Sequence, residues 1–452
     1  MHNVPNPAFV EIPAACLPKT AVAHHRILLD CTETCHATLN TGIERTVRNI
    51  IGALLAEAPE RVECVAVAFD GNRFAAVDSN SFVDTQARMR EPPWREWLRT
   101  LVTRGYRSSL LRATLLHPVV LSPARQLFSH IRWTQLKLRR AYAASAGSIE
   151  YRAGDWIVLL DSNWGPDLRA ELARAKAAGG RIGVVIYDLI KIRHPELVSP
   201  GASAIYRRWF ARTVPMADRV VAISRAVRDD VRAYLRESGL TPSGDDRVGW
   251  FHLGSDLAHS PVAGLPSAEF DALFEPGHAV SFLVVGTLEP RKAQHVVLDA
   301  FESRWSAGDT ARLVLVGREG WGSHALTRRL RNHRERGRRL IWLERAGDAD
   351  LETCYRHAAA LIIASTSEGF GLPIAEALQR GVPVIASDIP VFREVGGDAI
   401  AYVRPADSTA LAAAIAGVER GAIRPLPLPA AATRSWAESA RSLVAQLEIG
   451  NQ

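Results

Sequence analysis

The stretch ALIIASTSEGFGLPIAEALQRG, residues 360–381, predicts a buried strand, a glycine-rich turn and a helix in that order. The apolar run ends near Ser365. The helix is expected to begin near Leu372, with Pro373 at a favoured first-turn position. Strand, turn and helix in this order are the unit from which parallel sheets are built. The stretch therefore indicates an α/β protein.

The same alternation of short β-branched runs and helical patterns continues in both directions along the chain. Strands are predicted over residues 26–30, 62–69, 155–161, 181–188 and 219–224 in the first half and 280–286, 312–317, 340–344, 360–365 and 383–387 in the second. Each series makes about one doubly wound sheet, and 452 residues exceed what a single core usually holds. We predict a first domain over 26–260, a linker over 261–278 and a second domain over 279–425. A leader over 1–25 and an amphipathic C-terminal helix over 432–448 complete the division.

The composition excludes several classes of protein. With 47% hydrophobic and 23% charged residues, the chain is neither a disordered protein nor a coiled coil. No apolar run reaches the 18 residues of a spanning helix, so any membrane contact is expected to be peripheral. The first 20 residues lack an apolar core and are not expected to be a secretory signal. The five cysteines form no CxxC pair, which suits a reducing compartment, and Cys31 and Cys35 are interpreted as buried thiols rather than metal ligands.

Positive charge is concentrated in a predicted insert over 88–150. Between Arg88 and Arg140 there are twelve Arg and Lys residues against two acids, interleaved with Trp, Leu and Phe at roughly helical spacing. This pattern is typical of helices that lie on an anionic membrane surface. It fits equally well a helical subdomain that packs its apolar face on the core and leaves a basic face in water. Nucleic acid is not an expected partner, because the charge is confined to one segment and no binding signature accompanies it.

The turn at 368–376 has the features of an anion site. Ligands of open α/β sheets bind outside the carboxyl ends of the strands, and the helix that starts at Leu372 offers amides and a positive dipole end there. Gly369 and Gly371 would let the backbone approach a ligand closely. Glu368 and Glu376 would repel a bare phosphate, so we expect them to accept hydrogen bonds from hydroxyls that flank one. A nucleotide sugar, with a diphosphate between two polyols, meets these requirements. A plain helix N-terminus with favourable acids is the alternative.

A second loop points to the same ligand. FLVVGTLEPRKAQHVVLDAF, residues 282–301, predicts a strand, a Gly-Thr turn, and then Arg291 and Lys292 entering a helix. Cations at a helix start oppose its dipole, so they need another reason to be there. Two charges aimed at a pyrophosphate supply that reason, and a solvated basic turn is the alternative.

Several segments together resemble glycosyltransferase family 4, whose members have the GT-B fold. They are VVGTLEPRKAQHVVLDAF, EGFGLPIAEALQRGVPVIASDIPVFREVGG, WFHLGSD, NTGIERTVRNI, VVIYDLIKIRHPEL and DRVVAISRAVRDDV. Within that family, the segments most resemble those of mannosyl- and rhamnosyltransferases that assemble bacterial surface polysaccharides such as lipopolysaccharide and capsule. The resemblance runs from about Ile27 to the C-terminal helix and is weakest over 88–150. It implies two Rossmann-like domains that face each other across a cleft, with the C-terminal helix returning to the first.

The resemblance also implies an activity. It is that of a retaining, metal-independent transferase that uses no cofactor and moves a hexose, with GDP-mannose as the favoured nucleoside diphosphate sugar. The acceptor would be a polysaccharide or lipid-linked glycan, and the location the cytoplasm, at the inner face of the membrane. A catalytically inactive nucleotide-sugar-binding scaffold of a polysaccharide assembly complex is the alternative. That alternative is motivated by Tyr187, which stands where many relatives have a histidine.

Site residues follow from the resemblance by position. Glu368 would face the hydroxyls of the donor sugar, Glu376 would bind the ribose, and Arg291 and Lys292 would neutralise the diphosphate leaving group. The further implied donor contacts are Gly42, Thr287, Arg345, Gly371 and Leu372.

The positions of four other polar residues in the sequence suggest a role for each of them. Asp188, at the carboxyl end of a predicted strand, is expected to contact the sugar or the acceptor. Together with Glu368, Arg291 and Lys292 it makes up the predicted catalytic residues. His194 is either an acceptor-side residue or a surface histidine. Asp348 or Asp350 is interpreted as a helix N-cap in preference to a metal ligand.

Overall fold

The computed structural model describes residues 25–36, 42–59, 62–77, 148–240, 247–256, 273–274, 279–344, 346–424 and 427–447. The predicted leader, nearly all of the basic insert and nearly all of the predicted linker lie outside these ranges. The described chain forms two mainly parallel sheets with helices on their faces, one from each half of the sequence.

The first sheet has seven strands in the order β3-β2-β1-β4-β5-β6-β7, and every pairing is parallel except that of β2 with β3. The strands are β1 His25–Asp30, β2 Val62–Phe69, β3 Phe74–Ala76, β4 Trp156–Leu159, β5 Arg181–Ile186, β6 Arg219–Ala222 and β7 Val248–Trp250. The helices of this half are α1 Gly42–Ala56, α2 Arg169–Ala177, α3 Ile190–Arg193, α4 Ala202–Thr213 and α5 Arg225–Ser238. The central strands β4 and β5 are almost entirely buried, as their apolar sequences require in a sheet that is covered on both faces.

The second sheet has six strands, all paired in parallel, in the order β10-β9-β8-β11-β12-β13. The strands are β8 Ser281–Val285, β9 Arg312–Val316, β10 Leu340–Leu343, β11 Ala360–Ile363, β12 Val384–Ser387 and β13 Ala401–Val403. The helices are α6 Gln294–Ser306, α7 His324–Arg331, α8 Asp348–His357, α9 Leu372–Gln379, α10 Pro390–Gly396, α11 Ser408–Glu419 and α12 Trp436–Gln446.

Each of the ten predicted strands coincides with an observed strand, usually shortened by a residue or two. The strands that the sequence did not indicate are β3, β7 and β13. Each has three residues, which is too short for an alternating or continuous apolar pattern to be recognised.

The last helix, α12, belongs structurally to the first half, as predicted. It packs on α1, and it contacts β6 and β7 as well. The hydroxyl of Ser439 donates to the carbonyl of His252 over 2.8 Å, and the backbone N–H of Trp436 donates to Asp256 over 2.8 Å. The helix is shorter than the predicted 432–448 because the hydroxyl of Ser435 caps it by accepting from the N–H of Glu438.

The two halves are in contact. One cluster of buried apolar side chains contains members of both, among them Tyr187 and Ile223 from the first and Phe370 from the second. Within the described ranges, no helix combines the length and the apolar character that crossing a bilayer requires.

Candidate active site

The topology brings two loops of the second sheet together. Strand β8 pairs with β11, with Phe282 beside Ala360, although the two strands are far apart in the sequence. The strand order reverses at this pair, and a crevice forms outside the carboxyl ends of strands at such a point. The loop that carries Arg291 and Lys292 and the loop that carries Glu368 are therefore neighbours.

Glu368 is the centre of a cluster of charged side chains at this crevice. Its carboxylate pairs with the ammonium of Lys292 and with the guanidinium of Arg291, Nη1 to Oε2, over 2.8 Å. The hydroxyl of Ser365 donates to it over 2.9 Å. Burial disfavours the charged carboxylate, but Arg291 and Lys292 outweigh this effect and lower the pKa of Glu368 to about 2. Two cations and one ionised carboxylate are thus held together beyond the carboxyl ends of β8 and β11.

The loop with the two cations is tied directly to the loop after β11. Pro290–Lys292 forms a 3₁₀ turn, and the carbonyl of Arg291 accepts from the N–H of Thr366 over 2.8 Å. Ala293 then takes a left-handed conformation with φ of 48° before α6 begins at Gln294. The prediction that the cations enter the helix is therefore wrong in detail, because they precede it in a separate turn.

Glu376 is the centre of a second cluster, on the second turn of α9. Its side chain is 2% exposed, and its Oε2 accepts from the hydroxyl of Tyr355 over 2.7 Å. Its Oε1 pairs over 2.5 Å with Nη1 of Arg45, which comes from α1 in the first half. Nη2 of Arg45 pairs with Asp348 over 3.0 Å. One arginine of the first half thus joins two acids of the second half, a contact that the sequence analysis missed.

Asp348 and Asp350 do not occupy the N-cap position that was predicted for one of them. Gly347 is the N-cap of α8, and the carboxylate of Asp350 accepts from its N–H over 2.8 Å. Asp348 is the first helical residue and pairs with Arg45 instead. Among the described residues, no group of three His, Cys, Asp or Glu side chains is arranged to hold a metal ion.

Gly369 is close to the first half. A Cβ atom at this residue would lie 2.0 Å from the carbonyl oxygen of Tyr187, and the hydroxyl of Ser224 donates to the carbonyl of Gly369 over 2.8 Å. This glycine therefore allows the two halves to approach each other closely, and its expected contact with a ligand stays a prediction. Gly371 has a φ of 100°, which favours glycine, and a Cβ there would lie 2.9 Å from the ring of Phe392.

Glu394 of α10 provides a further contact between the halves. Its carboxylate accepts from the backbone N–H groups of Arg225 and Ala226, at the start of α5, over 2.7 and 2.8 Å. It also lies 2.6 Å from Nε2 of His252. Burial raises the pKa of Glu394, but the bonds from His252 and the two amides outweigh this and lower it. His252 and Glu394 lie in segments that carry the family resemblance, but no role was predicted for either residue.

Asp188 lies near the first cluster. Its carboxylate accepts from the N–H of Ile190 over 3.0 Å, and its charge is one of those that raise the pKa of Arg291 against the opposing effect of burial. Lys191, which the sequence analysis did not single out, stacks its ammonium 4.0 Å from the ring centre of Trp164. Burial lowers the pKa of Lys191.

Two residues with open interpretations have internal partners. His194 is exposed and lies 3.3 Å from the carboxylate of Glu196, as a surface histidine would. The hydroxyl of Tyr187 is buried and donates to the carbonyl of Leu160 over 2.7 Å.

The remaining implied donor contacts have different surroundings. Gly42 is the exposed first residue of α1, with open space where a Cβ would stand. Thr287 is half-buried, and its carbonyl accepts from the side chain of Gln294 over 3.0 Å. Leu372 is half-buried at the start of α9. Arg345 lies outside the described residues.

A buried acidic pair lies at the corresponding edge of the first sheet, where β1 pairs with β4. The hydroxyl of Thr32 donates to Asp30 over 2.5 Å, while Asp161 accepts from the backbone N–H groups of Glu33 and Thr34. Burial and then the charge of Asp161 raise the pKa of Asp30 to about 8, against the opposing bonds from Thr32.

The fold and the site define the class of protein. Two Rossmann-like sheets, with cations and carboxylates where their carboxyl edges meet, form the GT-B architecture of glycosyltransferases. Sucrose-phosphate synthase from Thermosynechococcus elongatus has the same fold, with a TM-score of 0.52 and 18% identity over 94% of this chain and 98% of that one.

The family comparison is more specific. Residues 268–433 match the family described as glycosyl transferases group 1, so the second half contains a group 1 glycosyltransferase domain. The serotype-specific mannosyltransferase WbdA of Escherichia coli is 38% identical over 233 residues, which are 51% of this chain and 29% of that protein. The O-antigen chain mannosyltransferase B of Escherichia coli is 36% identical over 163 residues, 35% of this chain and 41% of that protein. The chain thus spans less than half the length of these curated relatives.

Proposed function

We propose that this chain transfers a hexose from a nucleoside diphosphate sugar to a glycan acceptor, with retention of configuration and without a metal ion. GDP-mannose is the donor we favour, because similar proteins are named mannosyltransferases. The observation that carries the proposal is the convergence of Arg291 and Lys292 on Glu368, next to the start of α9.

The reaction needs positive charge at the leaving group. As the bond between the sugar C1 and the phosphate oxygen breaks, negative charge develops on the diphosphate. Arg291 and Lys292 are held at the crevice by their bonds to Glu368, so little reorganisation is needed for them to meet that charge. One well-placed group of this kind contributes on the order of 3 to 4 kcal/mol. These two fixed cations would supply the charge that a divalent ion supplies in other transferases.

Retention can proceed without a catalytic base. The acceptor oxygen forms its bond to C1 on the face that the diphosphate leaves, and the departing phosphate oxygen takes the proton of the acceptor hydroxyl. Atoms and charge then balance without a histidine at the position of Tyr187. The charge of Asp188 acts on Arg291, which supports a contact of Asp188 with the sugar or the acceptor at the same place.

The other proposed contacts complete the donor site. Glu368 would accept hydrogen bonds from sugar hydroxyls and Glu376 from the ribose, while the amides of Gly371 and Leu372 would face the diphosphate. The flanking donor contacts in this proposal are Gly42, Thr287 and Arg345.

The acceptor is proposed to be a polysaccharide or lipid-linked glycan at the inner face of the cytoplasmic membrane. Two relatives are named for O-antigen chain synthesis, which supports a growing bacterial polysaccharide as the acceptor class. The basic segment 88–150 would attract the chain to anionic lipid there by about 1 kcal/mol for each well-placed cation.

A thermal-shift panel of nucleoside diphosphate sugars tests the donor. A donor at 100 times its dissociation constant should stabilise the protein by about 2.7 kcal/mol, and GDP-mannose is expected to give the largest shift. If no member of the panel raises the midpoint of unfolding, the proposal is wrong.

Incubation of the best donor with a mannan acceptor and excess chelator tests the chemistry. The expected product has the anomeric configuration of the donor, as assigned by NMR. An inverted product would refute retention, and loss of transfer on chelation would refute metal independence. Binding without transfer or donor hydrolysis would instead favour the scaffold that the residue Tyr187 suggested.

A further inference from the structure

Arg45 has an unusual position for a cation. It lies in the first turn of α1, where positive charge opposes the helix dipole, and its side chain is only 13% exposed. Its guanidinium makes its two ion pairs with Glu376 and Asp348 in the other half of the chain. Burial lowers the pKa of Arg45, and the two carboxylates more than reverse this effect. The position of Arg45 is therefore explained by the second half, not by α1.

The Glu376 carboxylate needs such a partner. An ionised carboxyl group has about four acceptor positions, and the described structure fills one on each oxygen, from Arg45 and from Tyr355. The remaining acceptor positions of the carboxylate are left for hydroxyl donors. Arg380, the C-cap of the same helix, donates to the backbone carbonyl of Glu376 and pairs its side chain with Glu352. A buried carboxylate without a cationic partner is strongly disfavoured, so Arg45 keeps Glu376 able to accept.

We infer that Arg45 is a positioning residue for the donor ribose: it holds the Glu376 carboxylate in its orientation from the opposite half, so the nucleotide site is complete only when the halves are closed. This inference rests on the proposed function. Nucleotide binding and closure are then linked, because each stabilises the arrangement that the other requires.

A double-mutant-type cycle, in which Arg45 is replaced in the protein and the ribose hydroxyls are removed from the nucleotide, tests the inference. Calorimetric titrations would compare GDP and UDP with their 2′,3′-dideoxy counterparts, for the wild-type chain and for Arg45→Met. The wild type is expected to prefer the ribose form by about tenfold or more, because the lost hydrogen bonds are to a charged group. Arg45→Met should reduce that preference to less than about threefold, as should Glu376→Gln. Arg45→Lys keeps the charge but cannot pair with both Glu376 and Asp348 in the same way. The preference of this variant for the ribose form should therefore lie between those of the wild type and Arg45→Met.

The matched control is Arg48→Met on the same helix. Arg48 is buried, and its Nη2 bonds the carbonyl of Thr34 within the first half. This variant should lose stability and keep the wild-type ribose preference. If Arg45→Met weakens ribose and dideoxy nucleotides equally, Arg45 has only a structural role and the inference fails. Should Arg45→Met not fold, an undiminished ribose preference in Arg45→Lys would overturn it equally well. A wild-type chain that binds neither nucleotide would instead show that the proposed function is wrong.

Discussion

Replacement of Gly369 by alanine would test how closely the two halves approach. The new methyl carbon would lie 2.0 Å from the carbonyl oxygen of Tyr187, whereas ordinary contacts of this kind begin at 3.4 Å. The two backbones would therefore have to separate by about 1.4 Å. The φ of Gly369 lies outside the left-handed region, so alanine adds no backbone strain of its own. The perturbation acts only on the contact between the halves.

The expected cost follows from that separation. A shift of this size would lengthen the 2.8 Å bond from Ser224 to the carbonyl of Gly369 beyond hydrogen-bonding distance. Overpacking costs about 1 to 3 kcal/mol, and the lost bond about 1 kcal/mol more. If the donor binds the closed arrangement, this total of about 2 to 4 kcal/mol should raise its apparent dissociation constant by up to about 30-fold to 1,000-fold.

Donor binding by calorimetry and the radius of gyration by small-angle scattering would measure the effect. Gly369→Ala should bind donor weakly and scatter as a more extended particle, while each half keeps its secondary structure. Gly165→Ala is the control, because the space around its Cβ is open. A Gly369→Ala chain with wild-type affinity and wild-type scattering would refute the reasoning.

Three shorter predictions concern the site and the fold. Lys292→Met should reduce the rate of transfer at saturating donor by about 10² to 10³-fold without unfolding the chain. Lys176→Met, the control, should keep the wild-type rate. A product assay in which Lys292→Met is as fast as the wild type would contradict the proposed site. Since the pKa of Asp30 is raised to about 8 in the folded state, the native chain holds a proton that the unfolded chain loses near pH 4. Stability should therefore fall as pH rises from about 4 to 8, by up to about 1.4 kcal/mol per pH unit, and urea melts of Asp30→Asn should lack this decline. Ser435→Ala removes the hydroxyl that caps α12 and should cost about 1 kcal/mol in urea unfolding.

Much of the fold could be predicted because its signals are local. A strand of five apolar residues followed by a helix is visible in a short window, and strands β8 and β11 were placed almost to the residue. Arg291, Lys292 and Glu368 could be singled out as candidates in the same way, because each follows such a strand. Their mutual contact depends on the adjacency of β8 and β11, which a doubly wound sheet makes natural.

The contacts between the halves could not be predicted from local pattern. Arg45 and Glu376 are 331 residues apart, and His252 and Glu394 are 142 residues apart. Nothing in a short window marks them as partners. Arg45, like Arg291, is a cation near the start of a helix, where it opposes the dipole, and this signal would have singled it out. The sequence marked Gly369 as a point of close backbone approach, but sequence alone could not show that the first half of the chain comes close there.

The position of α12 affects how the chain can be synthesised. It covers α1 and the β6–β7 edge of the first sheet, and the side chain of Gln446 accepts from the N–H of Trp250 over 3.3 Å. Translation reaches residue 256 well before α12, and at about 5 to 20 residues per second the interval is about 10 to 40 s. During that time the surfaces of α1, β6 and β7 that α12 contacts in the folded chain lack this helix. Refolding from denaturant has no such interval, since the covering helix is present from the first moment.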